Sequence, residues 1–270
     1  MFWPWLETGA ARLKYLAMTR TICLNADIGE LPGQNGRAMD RAILDVVSRC
    51  NIACGGHAGD ETSMGQTLKA AKARNVIAGA HPSYPDKENF GRASMSMSAE
   101  ELKDTLRQQV RTFLSIVRDI GAPVEHLKPH GALYNDAARD AGLASIIAAV
   151  AREARLNVLV GPPNSELSRA AAEFHLNYLP EGFADRRYQA DGSLTPRSES
   201  GAVLRDIKDQ IAQVLEFVDQ GSVKVATGER IPLKVQTICL HGDTPGAIQS
   251  ALELRAALHA HDIEIETPTL

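Results

Sequence analysis

A chain of 270 residues, 44% hydrophobic and 23% charged with a formal net charge of -4, has the ordinary balance of a soluble globular protein. Near neutrality with only short basic clusters excludes the electrostatic footprint of a nucleic-acid binder, and no apolar run is long enough for a membrane span or a signal peptide. The expectation is small-molecule chemistry in a cytoplasmic protein, because the four scattered cysteines, Cys23, Cys50, Cys54 and Cys239, contain no CxxC pair and indicate neither a zinc ribbon nor a disulfide framework.

Residues 1–20 hold both tryptophans, Trp3 and Trp5, but complete no β/α unit; residues 1–17 are read as an extension ahead of a start at Met18, and 18–270 as a single domain. From Thr21 a short apolar run, a polar or glycine-rich loop and a segment of helical periodicity recur seven times. The runs are Thr21 to Leu24, Ile52 to Cys54, Val76 to Ala80, His126 to Lys128, Asn157 to Val160, Asn177 to Leu179 and Val235 to Leu240. Between the first two, Asn35 or Gly36 opens a helix through Met39, Ile43, Val46 and Val47. Ser98 followed by Glu101 is a capping box for a helix carrying Leu102, Leu106, Val110, Phe113 and Val117 at threes and fours, ended by Gly121. Thr244 and Pro245 mark the start of the last helix, through Ala247, Leu252, Leu254 and Leu258.

Strands alternating with helices predict a parallel sheet, either opened into a doubly wound layer or closed into a barrel. An open sheet gathers ligand groups at one switch point. Here six of the seven strand ends carry them: Asn25, Asp27 and Glu30; His57 and Asp60; His81; Lys128 and His130; Glu181 and Asp185; His241 and Asp243. That distribution predicts a closed or near-closed parallel β/α barrel of about seven units, with chemistry at the carboxyl ends of its strands. Period-two parity places His126, Lys128 and His130 on one face, as it does Cys23, Asn25 and Asp27, and Thr237, Cys239 and His241. Closure would bring Cys23 and Cys239 near each other, both reduced. No GxGxxG follows the first strand, and no GxxxxGK[ST] occurs anywhere.

The densest stretch is Asn51 to Asp60, NIACGGHAGD, where a thiol, an imidazole and a carboxylate lie among three glycines. Asp60 has a competing reading as a helix N-cap, and Cys54 as a small buried hydrophobe or, with His57, a nucleophile pair. Two long polar segments follow: 82–98, with Tyr84, Asp86 and Arg92, is expected to reach over the barrel mouth, and 181–197 carries Arg186 and Arg197, whose guanidinium forks suit a carboxylate ligand.

NADIGE, NIACGGHAGD, GAHPSYPD, KPHGALYN, EGFADRRY and CLHGD, in this order, resemble the LamB/YcsF family of ATP-hydrolysing 5-oxoprolinase A subunits, from Met18 onward. The resemblance implies a barrel of the glycoside hydrolase/deacetylase kind and the opening of 5-oxoproline to L-glutamate. It also implies partner subunits B and C, with ATP bound mainly by them. The chain departs from the family at Gly56, where a bulky aromatic is common, and at Ala93, where a second arginine is.

Opening a lactam needs an activated water, charge stabilisation on the carbonyl oxygen and a proton for the leaving nitrogen. Asp27 or Glu30 is expected as base, Lys128 as oxyanion stabiliser, and His57 or His130 as acid. Asn25, Asn51, Asp60, His81, Arg92, Asp185, Arg186, His241 and Asp243 are the expected substrate contacts. A divalent metal is a candidate cofactor, with Asp27, His57 and His81 as candidate ligands. The alternatives are a cysteine- or metal-dependent amidase for a related lactam, and a non-catalytic subunit that binds a small acid.

Overall fold

The structure, a computed structural model, describes residues 20–241 and 246–268. Strands β1 (Arg20–Ile28), β2 (Arg49–Ala53), β3 (Ile77–His81), β4 (Val124–Leu127), β5 (Val158–Gly161) and β6 (Asn177–Phe183) pair in parallel in that order. A short antiparallel hairpin follows, β7 (Ser222–Lys224) and β8 (Arg230–Pro232), before β9 (Thr237–His241). β9 pairs with both β6 and β1, so seven strands close into a barrel, each on one of the seven apolar runs. A last strand, β10 (Ile263–Ile265), extends the sheet beside the first residues of β1. The hairpin and β10 are too short, at three residues a strand, to leave a readable period.

Closure puts Cys23 opposite Thr237 and Asn25 opposite Cys239. The two cysteines therefore sit on adjacent strands, one diagonal step apart, and both are free thiols.

Eight helices among the described residues cover the barrel: α1 (Gly33–Leu44), α2 (Glu61–Lys72), α3 (Ala99–Ile120), α4 (Gly131–Ala137), α5 (Ala141–Glu153), α6 (Glu166–Glu173), α7 (Ile207–Gln220) and α8 (Ala247–Ala260). The Ser98 hydroxyl accepts from the Glu101 amide and the Glu101 carboxylate from the Ser98 amide, which satisfies two otherwise orphaned donors where α3 starts. Its stripe of Leu102, Leu106, Val110 and Phe113 is buried, and each such side chain contributes about 1.5–3 kcal/mol of transfer free energy. Gly121 ends the helix at φ 65, a conformation that costs glycine nothing.

Two local expectations shift. α1 starts earlier, at Gly33, and stops at Leu44, leaving Val46 and Val47 buried in the turn that follows. Leu252 is 45% exposed, because α8 buries Ala247, Ala251, Leu254 and Leu258 at spacings of four, three and four, a stripe that excludes it. The expected cap at Thr244 and Pro245, and the expected extension over residues 1–17, lie outside the described residues.

The main apolar core lies between sheet and helices, where Leu24, Ile28, Ile52, Leu127, Leu159 and Ile238 point outward. The barrel interior is largely polar. Asn25, Arg49, Asn51, His126, Glu181 and Thr237 are each at most 1% exposed. Burying a polar group is costly unless it is bonded, and most of these groups are. Asn25 Nδ2 donates to Glu181 Oε1 (2.9 Å) and Thr237 Oγ1 (2.8 Å), Asn51 Nδ2 donates to Asn25 Oδ1 and Asp27 Oδ1 (2.7 Å each), and His126 Nε2 donates to Asn51 Oδ1 (2.8 Å). Gly79 makes this possible: a Cβ there would stand 2.2 Å from the His126 ring.

Candidate active site

At the carboxyl ends of the strands this network opens into a cavity of about 870 Å³. Asp27, Glu30, His81, Lys128, His130 and Glu181 line its floor. Asn25 and Asn51, expected as substrate contacts, are not among the lining residues; they lie below, their amides spent on orienting Asp27 and Glu181.

Lys128 is 2% exposed, and its ammonium donates to Asp27 Oδ1 (2.9 Å), Glu181 Oε1 (2.9 Å) and Cys239 Sγ (3.2 Å). Burial by itself lowers a lysine pKa; the charges of Asp27 and Glu181 outweigh it and hold Lys128 well above the usual range. Three donors with three acceptors leave no N–H for a substrate oxygen. In this arrangement the Lys128 ammonium is held against Asp27, Glu181 and Cys239. Asp27 keeps Oδ2 on the other side, 3.4 Å from His81 Nε2.

Three imidazoles form the neighbouring cluster. His57 lies parallel to His130 with ring centroids 3.6 Å apart, and His81 meets His130 edge-on at 4.9 Å. A carbonyl can only accept, so His81 Nδ1 donates to Lys128 O (2.8 Å) and His130 Nε2 donates to Phe90 O (3.0 Å). In the neutral rings, the remaining nitrogens, His81 Nε2 and His130 Nδ1, are both lone pairs, yet they face each other at 3.0 Å. Glu30 Oε1 is 3.3 Å from His130 Nδ1 and 3.0 Å from His57 Nε2. Burial, then neighbouring histidine charge, pushes the His57 pKa down to about 2 and that of His130 well below the usual range. Imidazole nitrogens that converge with a carboxylate oxygen have the chemistry to hold a metal ion. The donor atoms of Glu30, His57, His81 and His130 all lie within 4.8 Å of one another. Of the expected ligands, His57 and His81 belong to this set and Asp27 stands beside it; Glu30 and His130 complete it.

The 82–98 segment packs onto the cluster, but of the three residues expected over the mouth only Arg92 lines the cavity: Tyr84 is buried in the core and donates to Asp136 Oδ2 (3.1 Å), and Asp86 accepts from the Asn89 amide within its own turn. Phe90 meets both His57 and His130 edge to face, and Arg92 stacks over the Phe90 ring at 4.9 Å. The backbone approach is close: a Cβ on Gly91 would come 2.9 Å from His57 Cβ, and one on Gly131 2.4 Å from Gly91 O. Phe90 itself adopts φ 56, a strained value for a bulky residue. Nothing in the sequence marked Phe90, because a loop aromatic has no period to betray it.

The other expected residues are placed as follows. Asp60 is exposed and caps α2, its carboxylate accepting from the Ser63 amide at 2.7 Å, outside the cavity lining. Arg92 and Arg186 line the cavity, whereas Asp185 is buried beside Arg186 and outside the lining. His241 is the last residue of β9, and Asp243 lies outside the described residues. Cys54 Sγ donates to Ile52 O (3.1 Å) and accepts from the His81 amide (3.3 Å), and burial pushes its thiol up to about 12, which removes the thiolate a nucleophile needs. At Gly56 a Cβ would fall 2.4 Å from Ser83 Oγ and 2.5 Å from Gln109 Oε1, so Gln109 fills the space that an aromatic would occupy.

Known proteins share this sequence and fold. The model of the LamB/YcsF family matches residues 22–269. A protein of Methylococcus capsulatus, named as the A subunit of 5-oxoprolinase, is 44% identical over 92% of this chain and 96% of its own length. One of the same name from Bordetella parapertussis is 44% identical over 92% and 99%. The crystal structure of a lactam utilization protein from Thermus thermophilus superposes with a TM-score of 0.83 at 33% identity, covering 91% of this chain and 99% of that one. With a matched family model and matched relatives over nearly its whole length, the chain belongs to the LamB/YcsF family.

Proposed function

We propose that this chain is the lactam-opening component of an ATP-dependent 5-oxoprolinase, a hydrolase that converts 5-oxoproline to L-glutamate. The observation that carries the reading is the junction of Asp27, aligned by Asn51 and Lys128, with the converging lone pairs of His81 and His130 on one cavity floor. The relatives' names supply the substrate. Asp27 is the base, taking a proton from water and returning it to the ring nitrogen as the C–N bond breaks. Glu30, His57, His81 and His130 would hold a divalent metal, which would supply a water of lowered pKa beside Asp27. His130 and His57, neutral at working pH, serve as ligands rather than as acids. We place Arg92 over the substrate, where its guanidinium faces the cavity from the loop.

The chain contains no P-loop, so ATP is bound mainly by partner subunits B and C, which phosphorylate the lactam oxygen before this barrel acts. Lactam, ATP and two waters then give glutamate, ADP and phosphate. We assign the assembly to the cytoplasm, a reading that the four free, buried cysteines support. The test is to measure glutamate and ADP from the purified chain alone, then with both partners, before and after chelation. Glutamate is expected only in the complete mixture, with at least a tenfold loss on chelation that added divalent metal restores. Glutamate from the chain alone would overturn the division of labour, and full activity after chelation the metal.

A further inference from the structure

The cavity is larger and more basic than a single five-membered ring with one carboxylate requires. About 870 Å³ is the size that encloses a drug-sized ligand. Away from the catalytic floor it is lined by Arg139, Arg186 and Arg197 as well as Arg92. One carboxylate is satisfied by one guanidinium fork.

Arg186 is the built part of this wall. It is 6% exposed, and its Nη2 donates to Thr195 O at 2.6 Å. That bond pins the guanidinium, yet its Nε is buried with no hydrogen-bond partner. Beside it Thr195, 4% exposed, has a buried hydroxyl in the same condition. Leaving a buried donor unmade costs about 1–3 kcal/mol. Orphaned atoms also occur away from the cavity, as at Arg49, but Arg186 and Thr195 are adjacent and both line its wall, where a ligand can complete them. Burial, then the charge of Arg197, draws the Arg186 pKa down to about 10 despite the opposing charge of Asp185. An anion relieves both conditions at once.

We infer that Arg186, Arg197 and Thr195, with Arg139 at the rim, form a subsite for the phosphoryl group of an activated lactam, separate from the contacts that hold the ring. A phosphoryl group carries up to two charges on three acceptor oxygens, enough for Arg186 Nε, the Thr195 hydroxyl and a second guanidinium. The inference rests on the lactam-opening reading for the identity of the group's carrier, but not for the anion site itself.

Calorimetric titration of the full chain with inorganic phosphate, 5-oxoproline and ADP in separate runs tests it. Phosphate should bind saturably, and Arg186→Gln should raise its Kd at least tenfold while changing the Kd of 5-oxoproline less than twofold. Arg197→Gln, at an exposed position, should raise the phosphate Kd at least threefold. Phosphate binding that is absent, or indifferent to both substitutions, overturns the subsite. Equal weakening of phosphate and 5-oxoproline also overturns it, by assigning the arginines to the carboxylate. ADP bound tenfold more tightly than phosphate would make this a nucleotide site instead. Arginine-dependent phosphate binding without any affinity for 5-oxoproline would keep the subsite and strike the lactam reading.

Discussion

Lys128 and the stacked pair His57 and His130 are neighbours at the same depth, and burial penalises a positive charge on all three. The outcomes are opposite. Lys128 meets two carboxylates, Asp27 and Glu181, and stays charged. The two imidazoles share one carboxylate at hydrogen-bond distance, Glu30, and otherwise face His81, a backbone carbonyl, a phenyl ring and each other, so they stay neutral. Depth alone decides nothing; the number of compensating charges within hydrogen-bond reach does. One half of the floor is thereby a fixed charge array and the other a set of lone pairs.

The comparison breaks most readily at Lys128. Lys128→Met leaves Asp27 and Glu181 buried without a cation, and a loss of about 3–5 kcal/mol is expected in urea unfolding. Adding Glu181→Gln should recover a large part of it. A single substitution that costs less than about 1 kcal/mol would show that the pair is not ionised as described. Asp27→Asn keeps the shape but removes the base, and glutamate formation by the assembled enzyme should drop at least tenfold, about 1.4 kcal/mol of barrier. Unchanged turnover would make Asp27 purely structural.

Smaller effects sharpen the boundary of the site. Asp60→Ala should cost about 1 kcal/mol of stability through the lost cap of α2 while turnover changes less than twofold. A rise in KM without that loss of stability would return Asp60 to the substrate. Cys54→Ser should have the least effect. The hydroxyl can donate to Ile52 O and accept from the His81 amide as the thiol does, so activity within twofold of the parent is expected. A large drop in kcat would revive a nucleophilic thiol.

Much of this could be read before any coordinates. Seven apolar runs at regular spacing, with charged residues at six strand ends, imply a closed parallel barrel, because side-chain alternation and the right-handed crossover leave few other ways to bury such runs. Parity alone put Asn25 and Asp27, Lys128 and His130, and Cys239 on the interior. The six ordered motifs identified the family. The contacts within that interior were decided only by tertiary structure. Asn25 and Asn51 look in sequence like substrate ligands, but the barrel turns their amides into the support beneath Asp27. Lys128 looks like an oxyanion donor, yet Glu181, 53 positions further along the chain, and Cys239 take its remaining protons. His130 joins Glu30, His57 and His81 only because four different strand ends meet at one rim. Sequence carries the period and the chemistry of each side chain. Which of two acceptors a proton faces depends on distances of an ångström between segments a hundred residues apart, and only the closed barrel sets those.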